Sequence, residues 1–577
     1  MPNNTDYSNR DLRNANLSGM DLRDADFSGS RLHGVDFSGS DLRGAKFEGA
    51  MFVEPGRFRP DQAASIFAKF ENADLRGVDF SGFDMKNSIF NGANLEGAKF
   101  DRTDLSYSQF RGTNMDNVTA KDAIIHKSFL VGASVENANF DRTDMSGSRL
   151  DHVDLRTASF ADSDLRDVRF TSADLHGVDF SGKDLTKASF KDVDLTNTNV
   201  DNTILHNASF EGVNLRGVDL SNHDLGSAKF IDTDLKETKL DGAQINFVTF
   251  DRTDLAGQDF SKHELNSCKF IGIDLKDTNI DAPSMRQIHF EECNLTDKNF
   301  ESKNLAGASF VKCDLTRASF KDVDFKTNNS RDNVTFSESV LDKTDFSGCK
   351  FPNRVNFSDS FLRNVDLSGH TFSRAFFTGT TLSKVDMSQT SVKDVSQGYH
   401  SIRFVDAKIF SSDFRNSDLR NTTFAGATIS GATNMQGVDL RGATLNGASI
   451  WNIDISKTKL DGADLHGAKY ISGYGVDAKV QDLENVDQES TSDKDSVDEY
   501  SISVVGFEDH GDADAVSPEN IDSFDIGDMI DEEIDKNWDD KGLDNDDPFA
   551  RDEKPERFEA TIDSRDEYDK PDTDHLD

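Results

Sequence analysis

The chain has 577 residues, 35% of them hydrophobic, and a formal net charge of −42 at pH 7. This charge argues against direct nucleic-acid binding, because phosphate contacts need clustered Lys and Arg. The first ten residues contain no basic segment followed by an apolar run, and no 18-residue apolar stretch occurs, so we expect neither a cleavable signal nor a membrane span.

The N-terminal block, residues 1–52, has a period of five. Apolar residues stand at every fifth position from Leu12 to Phe52. This spacing matches neither the 3.6-residue period of a helix nor the two-residue period of a strand. A stacked coil of tandem repeats, which turns the chain by a fixed angle every five residues, accounts for it.

Residues 53–69 interrupt the period. Pro60 is suited to the first turn of a helix, and Ile66, Phe67 and Phe70 follow at helical spacing. We therefore predict a loop that carries a short amphipathic helix. This helix either braces a seam between coils, which we favour, or projects Ile66 and Phe67 toward a partner protein.

Residues 70–325 hold 52 successive repeat centres, all Phe, Leu, Met, Ile or Val except Ala120. A small residue stands two positions before a centre, Asp or Asn one before, and polar residues or Gly after. Examples are Ala73-Asp74-Leu75-Arg76-Gly77, Ala93-Asn94-Leu95-Glu96-Gly97 and Ala463-Asp464-Leu465-His466-Gly467. The pattern resembles the pentapeptide-repeat family over most of residues 5–470. This resemblance implies an all-β fold, a right-handed quadrilateral parallel β-helix with four pentapeptides per coil.

The identities of the centres support a four-sided coil. Between residues 70 and 320, 19 of the 26 centres at multiples of ten are Phe, whereas Phe325 alone is Phe among the intervening centres. Positions ten apart lie on opposite walls of a 20-residue coil, so two facing walls carry Phe and two carry mostly Leu. About 460 residues then predict roughly 23 coils, on the order of 110 Å in length.

The four cysteines all occupy the small inward position: Cys268, Cys293, Cys313 and Cys349. We expect them to be buried packing residues rather than ligands or nucleophiles. The 20-residue interval between Cys293 and Cys313 stacks them about 4.8 Å apart, but parallel side-chain directions disfavour a disulfide. Free thiols suit a reducing bacterial cytoplasm.

One column of basic residues breaks the pattern: Lys183, His223, His263 and Lys303 stand in the inward position at intervals of 40 residues. Because unpaired buried charge is costly, we expect this position to be partly open at alternate coils. The alternative is an anion or metal site, although about 9.6 Å between members is too wide for one metal ion. No catalytic or nucleotide-binding motif is present, so we predict no enzyme activity, no cofactor and no metal.

Residues 326–470 continue the coils with changes of register at 326–335, before Phe357 and near Asn434. A second loop, residues 393–403, contains Tyr399 and His400, which we treat as candidate partner contacts. We expect each slip to form a bulge or an extruded loop at a corner.

The C-terminal segment, residues 471–577, holds 37 Asp or Glu and 9 Lys or Arg, a net charge of −28. This composition predicts a disordered acidic tail. Four large apolar residues within it are spaced by four: Ile526, Ile530, Ile534 and Trp538. They predict a short helix near 524–538 that docks in a partner's groove, with unbound disorder or docking on the solenoid's open end as alternatives.

The favoured function is a rigid, non-catalytic scaffold that binds an unidentified protein partner in a bacterial cytoplasm. The exposed coil ends would also allow an end-to-end dimer. The family resemblance implies one alternative, since some members mimic duplex DNA and protect DNA gyrase; a DNA-handling enzyme would then be the partner. Chain length, the mixed surface charge and the tail speak against it. A second alternative is a secreted bacterial effector that carries its signal in a loop or the tail.

Overall fold

The computed structural model of this chain describes residues 6–52, 68–326, 333–392, 402–472 and 479–483. In these ranges the protein is all-β and contains no α-helix. Outward residues pair in parallel with residues 20 positions on: Asp6 with Asp26, Asp11 with Arg31, Asn16 with Asp36, and Asp21 with Asp41. Four pairs per 20 residues define four walls. The predicted quadrilateral parallel β-solenoid is therefore confirmed.

Each pentapeptide forms one corner of a coil. The N–H of the third residue after a centre donates to the carbonyl of that centre, as from Ala25 to Leu22 (3.1 Å), and closes a β-turn. The second residue after the centre has a left-handed φ, 57° at Asp24, which favours Gly, Asn and Asp. The Asp before a centre accepts the N–H two residues on, as Asp26 does from Ser28 (2.9 Å). Turn chemistry thus explains the repeat.

The regular strands are short. In chain order they are β1 Val35–Asp36, β2 Ala68–Lys69, β3 Arg169–Thr171, β4 Ser189–Lys191, β5 Ser209–Glu211, β6 Lys229–Ile231, β7 Thr249–Asp251, β8 Lys269–Ile271, β9 His289–Glu291, β10 Ser309–Val311, β11 Asn333–Thr335, β12 Val340–Asp342, β13 Arg354–Asn356, β14 Phe361–Arg363, β15 Thr371–Phe372, β16 Ala375–Phe376, β17 Thr381–Ser383, β18 Ser391–Val392, β19 Ile402–Arg403, β20 Lys408–Phe410, β21 Thr428–Ser430, β22 Ser449–Trp451, β23 Lys469–Ser472 and β24 Lys479–Asp482. Single bridges connect the remaining coils.

The strands assemble into sheets that run along the walls. The largest has 12 strands in the order β19-β16-β13-β11-β10-β9-β8-β7-β6-β5-β4-β3, and the next has eight in the order β12-β14-β17-β20-β21-β22-β23-β24. Two pairs, β1-β2 and β15-β18, complete the set. All strand pairs are parallel except β23 with β24. We call the wall built on the 12-stranded sheet the sheet wall.

The interior of the solenoid is filled by rings on two facing walls, as the ten-residue alternation predicts. Behind the sheet wall, rings stack without a break from Phe170 to Phe424, and neighbouring centroids are 4.6 to 5.5 Å apart. Rings from opposite walls meet edge to face, as Phe300 and Phe310 do at 5.7 Å. Both arrangements are favourable for aromatic pairs, so the stack holds successive coils in register.

Insertions lengthen individual coils. Pairing partners are 20 residues apart in the regular coils, but Asp41 pairs with Asp74, Asp324 with Lys350, and Asp386 with Asp413. Single-residue insertions give intervals of 21, as between Asp413 and Asn434. These positions bracket the interruptions identified in the sequence. The coils are fewer than the 23 or so predicted, because inserted residues consume chain without adding a coil.

At the C-terminal end of the solenoid the chain reverses direction on one wall. Strand β24 pairs with β23 in the antiparallel direction, beyond the predicted end of the repeat at residue 470. The N–H of Leu483 then donates to the carbonyl of Ala468 (3.0 Å), and Leu483 is 5% exposed. It lies beside the last apolar centres, including Ile455, Leu460 and Leu465.

In the described ranges no helix has the length and apolar character to cross a bilayer.

Candidate functional site

The residues predicted from sequence as partner contacts are Ile66, Phe67, Tyr399, His400, Ile526, Ile530, Ile534 and Trp538. All of them lie outside the described residues. The loop helix of residues 53–69, except for Ala68 and Lys69, and the helix near 524–538 lie outside them as well. These assignments remain predictions. Among the described residues, the candidate surfaces are the walls of the solenoid.

The inward basic column has a structural explanation. His223 and His263 are buried, and Nε2 of each donates to a carbonyl 23 residues earlier, Val200 and Leu240 respectively, at 2.8 Å. Nζ of Lys183 reaches the carbonyl of Phe160 in the same way, at 2.7 Å. The inward position was expected to be partly open at alternate coils. It is partly open only at Lys183 and Lys303, which are half-buried, and not at the two histidines.

Smaller polar residues in the same inward position make the same bond. Thr103 donates to the carbonyl of Phe80 (2.6 Å), and Ser128 to that of Leu105 (2.8 Å). The accepting carbonyl already receives the N–H of its own turn, and it has a second lone pair to offer. Lys183, His223 and His263 are therefore longer substitutes for Ser and Thr. Lys303, the fourth member, pairs with Asp281 at the surface.

The cysteines are confirmed as buried free thiols. Sγ of Cys268 lies 2.9 Å from the carbonyl of Ile245, the bond that Ser and Thr make elsewhere. Burial raises the pKa of the Cys268 thiol to about 12 and also raises that of Cys349, because a thiolate is poorly solvated there. A nucleophilic role is therefore disfavoured for Cys268 and Cys349. Among the described residues, no group of three His, Cys, Asp or Glu side chains is placed to hold a metal ion.

Several outward aspartates are paired with an arginine two residues further along. Arg23 bonds Asp21 at 2.6 Å and approaches Asp41, one coil on, at 3.6 Å. Arg43 bonds Asp41 at 2.5 Å and Asp74 at 3.3 Å. Hydrogen bonds from the side chain and then the backbone of Arg23 lower the pKa of Asp21 to about 2. The result is a ladder of alternating charge, in which the repulsion expected between stacked carboxylates is offset.

A groove of about 490 Å³ opens on the outside of the coils near Asp174. Its lining includes Asp174, His176, Asp192 and Asp194. Arg156 bonds Asp174 here at 3.1 Å, as well as Asp154 at 2.6 Å. The groove is polar and shallow, and its carboxylates already serve turns and ion pairs, so it offers no pocket for an apolar ligand.

Large apolar side chains that face solvent are the feature that sequence analysis missed. They are Met20, Met51, Ile124, Phe129, Ile204, Phe247 and Trp451, between 39% and 60% exposed. Most stand at positions that the repeat otherwise gives to Asp, Asn or Gly. For all of them except Met20, which stands two positions before Leu22, the signal is visible in the sequence as a hydrophobic residue directly before, or one or two after, a centre. Phe247, at 60%, is the most exposed.

The outward charge is also unevenly distributed. Between residues 74 and 314, the position before the centre on one wall is Asp in eight of 13 coils: Asp74, Asp154, Asp174, Asp194, Asp234, Asp254, Asp274 and Asp314. We call this the aspartate column. The walls therefore differ in chemistry although they share one backbone geometry.

A solenoid with this corner and interior defines a class of repeat protein, and sequence comparison identifies the family. The family model described as pentapeptide repeats matches residues 11–49, 68–106, 84–117, 353–389 and 433–469. The model described as a pentapeptide repeat region matches residues 123–199, 183–260, 243–320 and 263–346. Together they cover more than half of the chain. The protein belongs to the pentapeptide repeat family, and no curated protein matches its sequence.

Solved structures with similar coils include other pentapeptide repeat proteins. HetL, involved in heterocyst differentiation regulation in the cyanobacterium Nostoc sp. strain PCC 7120, is 25% identical over 42% of this chain and 90% of its own, with a TM-score of 0.15. Full-length QnrB1, a plasmid-mediated fluoroquinolone resistance protein, is 19% identical over 41% and 91%, with a TM-score of 0.14. A thylakoid-lumen protein of Arabidopsis thaliana is 19% identical over 24% and 70%, with a TM-score of 0.12. At these values no function follows for the present chain.

Proposed function

We propose that this protein is a non-catalytic scaffold for protein–protein interaction. The observation that carries the proposal is the set of large apolar side chains exposed on otherwise polar walls, with Phe247 as its extreme. Inward residues are occupied by packing and by bonds to carbonyls, and corner residues by turns. Isolated aromatic groups on a rigid polar surface are typical of the anchors of protein interfaces.

The proposal is tested by affinity capture with the full-length protein and with the same protein lacking residues 523–540. Each recovered protein is then purified, and its direct binding is measured by calorimetry. A stoichiometric partner that binds both forms places the function on the walls, and one that binds full-length protein alone places it in the acidic segment. If no recovered protein binds directly in purified form, the scaffold proposal is refuted.

A second candidate function, mimicry of DNA toward an enzyme such as gyrase, draws support from the aspartate column. Carboxylates in successive coils lie about 4.8 Å apart and give one wall a regular negative charge. We favour this candidate less, because basic side chains are interspersed among the acids, as where Arg156 pairs with both Asp154 and Asp174 of this column. A supercoiling assay with purified gyrase decides: unchanged activity at large molar excess of this protein eliminates the mimic.

A further inference from the structure

One outward stretch, between Asp36 and Asp464 of a single column, contains no carboxylate. Its members are the residues directly before the apolar centres, both along the sheet wall and along the same side of the coils that precede and follow that sheet. They form 19 successively paired positions from Lys69 to Thr444. None is Asp or Glu. The aspartate column on the next wall has eight Asp among 13 positions. Because the turn accepts Asp at either place, turn chemistry alone does not explain the difference.

The middle of this column carries exposed cations and apolar groups together. Lys229 pairs in register with Thr249, and Thr249 with Lys269, so two lysines stand one coil below and one coil above the threonine. Both lysines are exposed. Ile231 and Ile271, half-buried, follow them at the edge of the wall. Phe247 stands at the other edge. We call Phe247, Lys229, Lys269, Ile231 and Ile271 the Phe247 patch.

Phe247 is held in a backbone conformation that a phenylalanine rarely adopts. Its φ is +65°, and its side chain is 60% exposed. The same corner one coil away on either side is occupied by Ser227 (φ +61°) and Ser267 (φ +57°). A left-handed backbone conformation is unfavourable for a bulky residue. Because most of the Phe247 ring is exposed, burial of the ring offsets little of this conformational cost. A strained and exposed aromatic side chain indicates a contact made with another molecule.

The charges around the patch indicate the sign of that molecule. Two carboxylates beside the isoleucines are paired with a permanent cation, Asp251 with Arg252 at 2.7 Å and Glu211 with Lys191 at 2.5 Å, and a third, Glu291, lies 3.3 Å from His289. Within the described ranges, neither Lys229 nor Lys269 lies within ion-pair distance of a carboxylate. Two ammonium groups thus remain beside an exposed phenyl ring, and they complement an acidic partner.

The spacing of the two lysines restricts the partner further. They are two coils apart, about 9.6 Å at the strand spacing. Three residues of extended chain span about 10 Å. An extended segment in the polyproline II conformation has three residues per turn and a rise of about 3.1 Å, so acidic residues three positions apart lie on one face, about 9.3 Å apart, and reach both ammonium groups. The two residues between them project to the sides, one toward Phe247 and the other toward the isoleucines at the opposite edge of the wall.

The patch favours a polypeptide over a nucleic acid. Phosphates of one strand repeat about every 3.4 Å and need a dense run of cations, whereas this column offers two lysines in three coils. A long polyanion would also meet the aspartate column on the adjoining wall. Apolar groups interleaved with the lysines match side chains of a peptide instead.

We propose that the Phe247 patch is a docking surface for an acidic, extended polypeptide segment of another protein, with two carboxylates three residues apart flanking apolar side chains. This inference rests on the proposed scaffold function and gives it a location and a partner chemistry. Phe247 is the anchor, and Lys229 and Lys269 select and orient the segment.

The experiment uses the full-length protein and a random 12-residue peptide library displayed on phage. Enriched peptides are synthesised, and their affinity is measured by fluorescence anisotropy at low and high salt. The variants are Phe247→Ser, Lys229→Thr and Lys269→Thr. Serine already occupies the corner at Ser227 and Ser267, and threonine the column at Thr249, so these variants keep local residue types and should fold normally, as circular dichroism and melting temperature will verify.

We expect enriched peptides with two acidic residues three positions apart around an apolar pair. Phe247→Ser should weaken binding at least tenfold, the two lysine variants together about tenfold, and added salt should weaken wild type more than the double lysine variant. Enrichment of basic peptides, equal binding by wild type and variants, or no enrichment would overturn the proposal. So would stronger competition by a 20-nucleotide DNA. A captured partner that binds the Phe247→Ser protein normally would refute this surface and leave the scaffold function standing.

Discussion

Gly369 and Gly379 offer a matched test of corner geometry. Both have φ +66° and both are exposed. A Cβ added at Gly369 would meet no atom within 4 Å, whereas a Cβ at Gly379 would stand 2.2 Å from Oδ1 of Asp359, the corner residue one coil earlier. The two glycines thus have the same left-handed backbone conformation and differ in the space available for a Cβ atom.

The expected cost of alanine at each glycine follows from these geometries. Gly369→Ala places a Cβ in the left-handed region, which costs about 1–2 kcal/mol. Gly379→Ala incurs the same cost and also displaces the Asp359 carboxylate from its rotamer, about 0.5–1.5 kcal/mol more. The double change Asp359→Gly with Gly379→Ala removes the clash. Its destabilisation should fall to the level of Gly369→Ala or below.

Hydrogen exchange followed by mass spectrometry measures these differences coil by coil. A local probe is needed because a solenoid need not unfold in one cooperative step. The N–H of Gly379 donates to the carbonyl of Val405 (2.9 Å), so its exchange reports opening of that corner. Equal loss of protection in the two single variants, or failure of Asp359→Gly to restore it, would refute the steric reasoning.

Three further predictions concern the interior, the surface charge and the thiols. Phe230→Ala removes a fully buried ring whose centroid lies 5.0 and 5.5 Å from those of its two stacked neighbours, and it should lower the free energy of unfolding by about 3–5 kcal/mol. We expect faster hydrogen exchange only in the coil of Phe230 and the adjacent coils; a uniform change along the solenoid would contradict the prediction. Hydrogen bonds from the side chain and backbone of Ser221, and then from Lys239, lower the pKa of Asp219 to about 2. The ionised Asp219 carboxylate therefore contributes its full stabilisation above the unfolded pKa of about 3.9, and this stabilisation is lost as pH falls through 2. The melting-temperature advantage of wild type over Asp219→Asn should shrink between pH 4 and pH 2. A constant difference over this range would argue against the linkage. Cys268, whose pKa is raised to about 12, should resist iodoacetamide at pH 8 in the native protein and react when unfolded, as peptide mapping by mass spectrometry will show. Rapid native labelling of Cys268 would mean that its thiol is not buried.

Much of the fold could be predicted from sequence, because the repeat encodes the corner and the interior in every five residues. Centres such as Leu75 mark inward positions, and Asp74 and Gly77 mark the turn. The alternation of Phe and Leu also placed the ring stacks on facing walls. These features depend on local turn chemistry and on the period, both of which a single sequence displays.

The roles of the inward basic residues could not be predicted in the same way. His223 bonds a carbonyl 23 residues earlier, which depends on how one coil lies over another. Sequence analysis registered the unusual residue type and treated it as an opening in the wall, because it had no acceptor to assign. The number of coils was overestimated because inserted residues were counted as if each 20 of them formed a coil.

The exposed aromatic residue was visible in the sequence and was not recognised. Phe247 stands two positions after Ile245, where neighbouring coils have Ser227 and Ser267. The departures recognised in the sequence are inward basic residues and interruptions of the repeat, and Phe247 is neither. Whether a corner residue is exposed depends on its φ and on the coils above and below, so the structure was needed to separate Phe247 from the packed rings.

The antiparallel strand at the C-terminal end gives the solenoid a defined length. A parallel coil presents, at its open edge, the same pattern of donors and acceptors that the next coil uses, and another molecule could therefore continue the stack as a fibril does. Strand β24 reverses chain direction on the eight-stranded wall, and Leu483 covers the apolar centres behind it. On this wall, therefore, the last strand does not repeat the parallel pairing pattern that each coil presents to the next.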